Sequence, residues 1–263
     1  MALILISLLL LILWMLYEAG HIKPEYLTYG ENRTGIRIAF MSDIHIGLLL
    51  VSSQKLKKII KDAAPDLLVI AGDLIDKPSD SERFIIWFKT LDIDIPVYMT
   101  FGNHDYKCFR ANPARKNTFI FNLKSLGIHL LINECAIFKK GGAMVSISGL
   151  DDYIEGLPDF NSAFNCELKA DFRLSVSHNP EVALTMPEGK TDLLLCGHFH
   201  GGQIWMPFHL EYRLLRHEET CRMGCRRGFH TINKIPVYIG RGLGNVVVPF
   251  RLGSRPEITF IDI

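Results

Sequence analysis

The chain carries little net charge for its size. Its 263 residues include 29 Lys and Arg against 28 Asp and Glu, which leaves a formal net charge of +1 with neutral histidines. A nucleic-acid-binding protein normally shows a strongly basic face, so the composition points to no polyanionic partner. Low-complexity segments and internal repeats are also absent, and 48% hydrophobic with 22% charged residues is an ordinary globular composition.

Cysteine is too sparse to form a disulfide framework. The chain has six, namely Cys108, Cys135, Cys166, Cys196, Cys221 and Cys225. Domains held together by disulfides are shorter and denser in cysteine, so we expect mostly reduced thiols in a domain that faces the cytosol. The one close pair, Cys221 and Cys225, lacks an evident second pair of zinc ligands, which disfavours a zinc site there.

The first 17 residues, MALILISLLLLILWMLY, contain no charge. This run reaches the short limit of the roughly 17–25 apolar residues that a membrane helix needs, and Trp14 and Tyr17 are placed as interfacial anchors. A secretory signal peptide would have a positive segment before the run and a small-x-small cleavage site. We therefore predict a single transmembrane helix, a membrane anchor over residues 1–20. Because Lys23, Arg33 and Arg37 follow it, the positive-inside tendency favours a domain on the cytoplasmic side.

After a polar connector over residues 21–35, regular structure is expected to begin at Ile36. Short apolar, β-branched runs then end in polar clusters, and amphipathic stretches follow the early runs. The runs are IRIAFM, DLLVIAG, PVYMTFG, RLSVS, DLLLCG, PVYIG and EITFIDI. Ser52 or Ser53 would cap the helical stretch SSQKLKKIIKDA, and HLLINECAIFKKGGAMVSISGL indicates consecutive strands around a Gly-Gly turn. The pattern predicts an α/β domain over residues 36–263 with a mostly parallel or mixed sheet covered by helices.

Five polar clusters follow these runs and carry the candidate functional residues. They are SDIH, GDLID, GNHD, SHN and GHFH, which supply Asp43, His45, Asp73, Asp76, Asn103, His104, Asp105, His178, His198 and His200. Ligands of open α/β sheets gather beyond the carboxyl ends of the strands, so the clusters should share one edge. The mixed oxygen and nitrogen donors suit divalent ions such as Mn, Fe or Zn better than Ca. The set is too large for one four-coordinate zinc, whereas two ions sharing a carboxylate would use it.

In this order, the motifs resemble the calcineurin-like metallophosphoesterase family, whose pattern is D-x-H, G-D, G-N-H-D/E, H and G-H-x-H. The match spans about residues 36–263. HNP at His178, GHFHGGQ and the tail IGRGLGNVVVPFRLGSRPEI are most similar to the small membrane-linked bacterial branch, the YkuE/YaeI type. The resemblance implies a four-layer αββα sandwich of two mixed β-sheets flanked by helices, with the metals at one edge.

The resemblance also implies a role for each residue. One divalent ion would be bound by Asp43, His45, Asp73 and His200. The second would be bound by Asp73, Asn103, His178 and His198. A hydroxide held between the ions would attack phosphorus in line, and His104 would act near the leaving oxygen as a general acid or as a donor to the phosphate. Either Asp76 or Asp105 could orient His104.

The expected function is a membrane-anchored, dinuclear-metal phosphohydrolase acting on a phosphodiester or pyrophosphate, possibly lipid-linked. Protein phosphatases of the family carry Arg where this chain has Lys77, which weakens a phosphoprotein substrate. UDP-2,3-diacylglucosamine is the most concrete lipid candidate, since a related membrane-linked hydrolase acts on it. The alternatives are a non-catalytic scaffold that binds metal or phospholipid and a nuclease, which the neutral charge disfavours. A basic stretch is either a solvated face or a contact with anionic head groups; it comprises Arg213, Arg216, Arg222, Arg226 and Arg227.

Overall fold

The computed structural model describes residues 1–31, 33–166 and 170–263. The first half of the chain forms, in order, α1 (Ala2–Gly20), β1 (Lys23–Thr28), β2 (Arg37–Ser42), α2 (Ser53–Ala63), β3 (Leu67–Ala71), α3 (Asp80–Leu91), β4 (Val97–Thr100), α4 (Asn103–Phe109), α5 (Pro113–Ser125) and β5 (Ile128–Leu130). The second half forms β6 (Glu134–Lys140), β7 (Ala143–Gly149), α6 (Phe160–Ala163), β8 (Phe172–Val176), β9 (Leu193–Cys196), α7 (Leu210–Leu215), α8 (Glu219–Arg222), β10 (Gly228–Ile232), β11 (Ile235–Ile239) and β12 (Glu257–Asp262). Short 3₁₀ helices occupy Pro180–Leu184, His200–Gly202 and Pro207–His209.

The strands form two six-stranded mixed sheets. The first has the order β1-β12-β2-β3-β4-β5, and the second has the order β10-β11-β9-β8-β7-β6. Strands β2 to β5 are parallel, as are β7, β8, β9 and β11, while antiparallel pairs join β12 to β2, β6 to β7 and β10 to β11. Because the parallel strands of each sheet point the same way, their carboxyl ends meet at one edge.

The two sheets pack face to face between layers of helices. Side chains alternate across a strand, so Phe40 of β2 contacts the inter-sheet cluster with Ile147 and Leu195, whereas Met41 points to the cluster beneath α2 and α3. A third apolar cluster packs the other face of the second sheet against residues 180–186 and α7. The predicted αββα sandwich of two mixed β-sheets is therefore confirmed.

Local predictions within the domain agree with the structure, with one exception. Ser52 caps α2 by accepting a hydrogen bond from the backbone N–H of Lys55, and β6 and β7 form the hairpin around the Gly-Gly turn. The expectation that regular structure begins at Ile36 is wrong, because the connector contains β1, which pairs in parallel with β12. This strand lies at the sheet edge, where Pro24 is tolerated because one side of the strand needs no ladder hydrogen bonds.

The N-terminal helix α1 is long and apolar enough to cross a membrane by length and composition. Most of its side chains are exposed, but Glu18 and Ala19 near its end are buried against the domain. The backbone N–H of Arg251 donates to the carbonyl of Met15 over 3.2 Å, and the N–H of Gly253 donates to Glu18 Oε2 over 2.7 Å. The end of α1 is thus joined to the segment just before β12.

The expectation of reduced thiols is wrong for one pair of cysteines. Cys135 on β6 and Cys166 form a disulfide with a Cα–Cα distance of 5.8 Å, within the usual range for such bonds. The other four cysteines are free, and Cys221 and Cys225 lie buried in the third apolar cluster. Because disulfides persist in oxidising compartments, the cysteines no longer support a domain that faces the cytosol.

Candidate metal centre

The seven predicted metal ligands lie together at the carboxyl edge of the two sheets. Asp43 and His45 follow β2, Asp73 follows β3, and Asn103 begins α4 just after β4. From the second sheet, His178 follows β8, and the pair His198 and His200 follows β9. All seven side chains are buried. The structure therefore brings the sequence-predicted clusters into one site.

Most of these residues have strained backbone conformations. Positive φ angles between 39° and 77° occur at Asp43, His45, Asp73, His198 and His200. Such angles cost a non-glycine residue of order 1–3 kcal/mol and cluster at functional sites. Gly102 leaves room beside them, because a Cβ there would lie 2.2 Å from Asp73 Oδ1. The local backbone is therefore shaped around the inward-facing side chains.

The donor atoms form two overlapping groups. In the first group, His200 Nε2 lies 3.3 Å from Asp43 Oδ1, and His45 offers a third atom within 4.8 Å of both residues. In the second group, His178 Nε2 lies 3.1 Å from Asp73 Oδ2 and 3.2 Å from His198 Nδ1. Asp73 Oδ2 is also 3.5 Å from His45 Nε2. The carboxylate of Asp73 thus stands between the two groups, where a shared ligand would be needed.

Two donor atoms have no partner within the residues that the structure describes. His45 Nε2 and Asn103 Oδ1 are buried and make no hydrogen bond. A buried polar atom left unsatisfied costs about 1–3 kcal/mol, and a divalent cation bound to each of these atoms would remove this cost. The donors, carboxylates, imidazoles and one amide oxygen, also suit Mn, Fe or Zn. These residues therefore fit a metal site.

The outward nitrogen of three of these histidines is held by a hydrogen-bond acceptor. His178 Nδ1 lies 2.9 Å from the carbonyl of Ala71, and His45 Nδ1 lies 2.9 Å from Asp76 Oδ1. His198 is reversed, because its Nε2 lies 2.9 Å from Glu218 Oε1 while Nδ1 faces the site. Such partners fix the ring orientation and the tautomer of metal-binding histidines. Each of these rings therefore directs its other nitrogen into the centre.

Asp76 joins His45 to His104. Its Oδ1 lies 2.7 Å from His104 Nδ1, and His104 is 31% exposed at the mouth of the site. Burial acts to lower the pKa of His104, but the hydrogen bond to Asp76 and the charge of Asp73 outweigh it and raise that pKa. Burial acts in the opposite direction on Asp76, whose pKa the two histidines hold well below its ordinary value. An exposed, easily protonated imidazole thus stands beside the buried donors.

Asp105 does not contact His104 through its side chain. It accepts hydrogen bonds from the backbone N–H groups of Leu74, Ile75 and Gly102, at 2.9 to 3.2 Å. Burial and the neighbouring charge of Asp73 raise the pKa of Asp105 to about 7. Of the two carboxylates that the sequence left open, Asp76 is the one in contact with His104, and Asp105 holds two site-bearing loops together.

Asp73 and His178 interact strongly in the buried centre. Burial opposes the charged form of Asp73, yet His178 and His45 hold its pKa well below the ordinary value. For His178, burial lowers the pKa and the charge of Asp73 more than compensates, raising it to about 10. These charges therefore hold the carboxylate of Asp73 in its negative form.

Three residues of the site region escaped sequence reasoning. Glu218 contacts His198, and Arg216 Nη2 donates to the carbonyl of His198 over 2.8 Å. Arg251 is fully buried, and its guanidinium donates to the carbonyls of Arg241, Gly244 and Ser254 behind His200. Arg216 was seen only as a member of a basic stretch. Arg251 lies within the tail motif but was given no role, and no motif marks Glu218. The roles of both depend on contacts that the sequence does not show.

The fold and site together define a hydrolase of the metal-dependent phosphoesterase class. Residues 36–202 match the model of the calcineurin-like phosphoesterase family, and the chain belongs to that family. It is similar to the uncharacterized metallophosphoesterase YkoQ of Bacillus subtilis, with 32% identity over 88% of this chain and 84% of that protein. It is also similar to the phosphodiesterase YaeI of Escherichia coli, with 29% identity over 92% and 87%. The predictions of family and of enzyme class are confirmed.

Two further likenesses concern the anchor and the fold. A transmembrane protein with a metallophosphoesterase domain from Danio rerio is 29% identical over 88% of this chain and 54% of that protein. The crystal structure of TT1561 from Thermus thermophilus superposes with a TM-score of 0.52 at 14% identity, covering 80% of this chain and 91% of that one. The second likeness supports the fold alone.

Proposed function

We propose that the protein is a membrane-anchored phosphohydrolase that uses two divalent metal ions to cleave a phosphodiester or pyrophosphate. The observation that carries this proposal is the convergence of seven buried donor side chains, two of which offer atoms without a partner among the described residues. The apolar helix α1 supports the anchor, and a phosphodiesterase among the relatives supports the diester. A non-catalytic scaffold would not need His104 and Asp76 placed at the mouth of the site.

The two donor groups support a ligand set for each ion. Asp43, His45, Asp73 and His200 would hold the first ion. Asp73, Asn103, His178 and His198 would hold the second. When bound, two such ions supply an activated water and positive charge that stabilises the phosphoryl oxygens. The residues are fixed in advance by the hydrogen bonds to their outer atoms, so little reorganisation opposes the reaction.

His104, oriented by Asp76, would protonate the leaving group. Asp76 holds His104 at Nδ1, which leaves Nε2 as the atom that carries a proton toward the departing oxygen. The hydrogen bond to Asp76 and the charge of Asp73 outweigh burial and raise the pKa of His104, which favours the protonated ring. Asp76 also touches His45, so the same carboxylate positions a metal ligand and the acid.

The substrate is proposed to be an amphiphilic phosphate ester. An anchor formed by α1 would hold the domain beside a bilayer, and the basic stretch lies close to the site through Arg216. Lys77, in place of an arginine, disfavours a phosphoprotein. UDP-2,3-diacylglucosamine is a concrete member of this substrate class to assay.

The test is hydrolysis by the full chain in detergent micelles with Mn²⁺. We compare bis-p-nitrophenyl phosphate with p-nitrophenyl phosphate and measure bound metal in wild type, Asp73→Asn and His104→Ala. We expect cleavage of the diester, loss of metal and turnover in Asp73→Asn, and loss of turnover with metal retained in His104→Ala. Asp94→Asn and His129→Ala change exposed residues far from the site and serve as controls. Wild type that binds metal yet cleaves neither ester would leave the scaffold as the better account.

A further inference from the structure

The end of α1 lies next to a segment that borders the metal centre. Arg251 and Gly253 are hydrogen-bonded to Met15 and Glu18 of the helix. Met15 belongs to the uncharged run that is proposed to lie in the membrane. A bilayer around α1 must therefore approach residues 250–253 closely, because their backbone meets the helix within that run.

Exposed apolar side chains surround this junction. Trp205 is 52% exposed, its N–H donates to the carbonyl of Leu252, and its Cβ lies 3.2 Å from the position of a Cβ on Gly253. On the other side, the carbonyl of Leu50, also an exposed residue, lies 3.5 Å from the corresponding position on Gly20. Two large apolar side chains thus face solvent beside the exit of the helix, where water would disfavour them.

A loop close to the same junction presents Val247 outward. Gln203 clamps this loop, because its Nε2 donates to the carbonyls of Val246 and Val248 and its Oε1 accepts from the N–H of Val246. Val247 between them is 87% exposed and has a φ of 64°. A β-branched residue in that region is strained, and strain held by surrounding bonds marks functional positions. The hydrogen bonds of Gln203 therefore hold the side chain of Val247 exposed to solvent, in a backbone conformation that is energetically unfavourable.

An apolar groove connects these residues to the metal centre. It has a volume of about 430 Å³ and reaches His104 and His200. Its walls are largely apolar and include Ile204, Met206, Tyr212, Leu215, Val246 and Val248. An occupant of the groove would therefore touch both the reacting end of the site and Val247, which also lines the groove.

Basic residues lie along the same surface. Arg216 lines the groove, and Arg227 Nη1 lies 3.5 Å from the carbonyl of Gly253 at the helix junction. Three exposed apolar residues, Phe208, Leu214 and Leu215, come shortly before Arg216 in the chain. Apolar side chains mixed with arginines are typical of surfaces that lie in the interface of a bilayer, where each basic residue contributes on the order of 1 kcal/mol with anionic lipids.

We propose that an apolar rim, defined as Leu50, Trp205, Phe208, Leu215 and Val247, rests in the bilayer that holds α1, and that the groove receives an acyl chain of the substrate. The phosphate of such an amphiphile would reach the metal centre directly from the membrane. This inference rests on the proposed function, since it specifies how the same site obtains its substrate. The occupant of the rim is lipid, because the helix that joins it is itself the proposed membrane segment.

Contact with the bilayer is tested without turnover. The full chain is reconstituted into phosphatidylcholine and phosphatidylglycerol vesicles with or without brominated acyl chains, and tryptophan emission is compared between wild type and Trp205→Phe. The difference between the two emission spectra is the contribution of Trp205, and we expect brominated lipid to reduce this contribution at least twofold. Trp87→Phe is the matched control, because Trp87 lies on α3 among the helices of the first sheet. A Trp205 component that only aqueous acrylamide quenches would overturn the proposal and leave a protein partner as the occupant.

The groove is tested with p-nitrophenyl alkyl phosphates that differ only in chain length. We expect kcat/KM of wild type to rise at least tenfold from the methyl to the dodecyl diester, and this ratio to fall to near one in Leu215→Gln and Val247→Asp. Phe121→Gln alters an equally exposed apolar side chain on α5 and should keep the wild-type ratio. Equal rates for both esters in wild type would refute the groove while the phosphohydrolase stands. Hydrolysis of neither ester would instead refute the proposed function.

Discussion

At the scale of single residues, the site depends on acidic side chains that hold its histidines in place. Glu218 accepts from His198 Nε2, and Asp76 does the same for His45 and His104. Removing an outer partner of a metal ligand typically costs 10–100-fold in metal affinity or activity. The contribution of these hydrogen-bond partners to metal binding can therefore be measured by mutation, as it can for the ligands.

We expect Glu218→Ala to weaken Mn²⁺ binding by roughly 10–100-fold, because His198 would lose the acceptor that fixes its ring. Glu218→Gln keeps an oxygen at the same place and should restore most of the affinity. Titration calorimetry of the metal-free chain measures the change directly. Glu219→Gln, an exposed neighbour, serves as the control. Unchanged affinity in Glu218→Ala would show that Arg216 and the backbone suffice to hold His198.

The pH dependence of turnover should report the contact between Asp76 and His104. The carboxylate raises the pKa of His104, so the protonated imidazole persists to higher pH and activity falls as pH rises through that raised value. Asp76→Asn removes the charge and should move this alkaline limb to lower pH. The profile is measured with an alkyl leaving group, which needs the proton. A limb that stays in place would assign the titration to another group.

At the scale of elements, the sequence was sufficient to predict the strands that have a strong apolar pattern. It was not sufficient to predict the elements whose order depends on contacts with distant parts of the chain. The runs ending in Asp43, Asp73 and His198 are buried parallel strands, and their apolar pattern is strong enough to be found without a structure. The strand β1 was missed because KPEYLT is polar, begins near a proline and gains its order from β12, more than 200 residues away. Glu218 and Arg251 were missed for the same reason, since only tertiary packing places them at the site.

Arg251 joins the segment between β11 and β12 to the loop that carries His200. Its guanidinium is fully buried, donates to the carbonyls of Arg241, Gly244 and Ser254, and has no carboxylate partner among the hydrogen bonds of the described chain. Burial lowers its pKa to about 10, which still leaves it charged at neutral pH. The carbonyls that meet it therefore take the place of a counter-ion.

We expect Arg251→Lys to destabilise the fold by about 3–5 kcal/mol, because one ammonium cannot reach several carbonyls that a planar guanidinium serves. Chemical denaturation followed by tryptophan fluorescence measures the loss. Arg33→Lys, at an exposed position, should change stability by less than about 0.5 kcal/mol. If Arg251→Lys proved equally mild, the loops would have to be held by their own backbone contacts.

At the scale of the whole molecule, two features bear on which side of a membrane the domain would occupy if α1 spans it. Lys23, Arg33 and Arg37 follow α1 and favour the cytoplasmic side by the positive-inside tendency. The disulfide between Cys135 and Cys166 favours an oxidising compartment. Only the first feature could be predicted from the sequence, because the positions of two cysteines 31 residues apart do not show that they form a disulfide. A covalent bond is the stronger indication, since positive charge only biases insertion.

We therefore expect the domain to lie on the oxidising side of the membrane with the disulfide formed. Cells are treated with a maleimide, and the chain is then denatured in the same reagent without reductant. It should carry four maleimide groups, one for each free cysteine, and six when it is reduced before labelling. Reduction should also lower stability by about 2–4 kcal/mol, whereas the double variant Cys135→Ser, Cys166→Ser should no longer respond to reductant. Six labels without reduction would place the domain in the cytosol. In that orientation the rim would rest in the inner leaflet, and lipid substrates would enter the groove from there. The labelling result therefore decides which lipids are used in the vesicle assays.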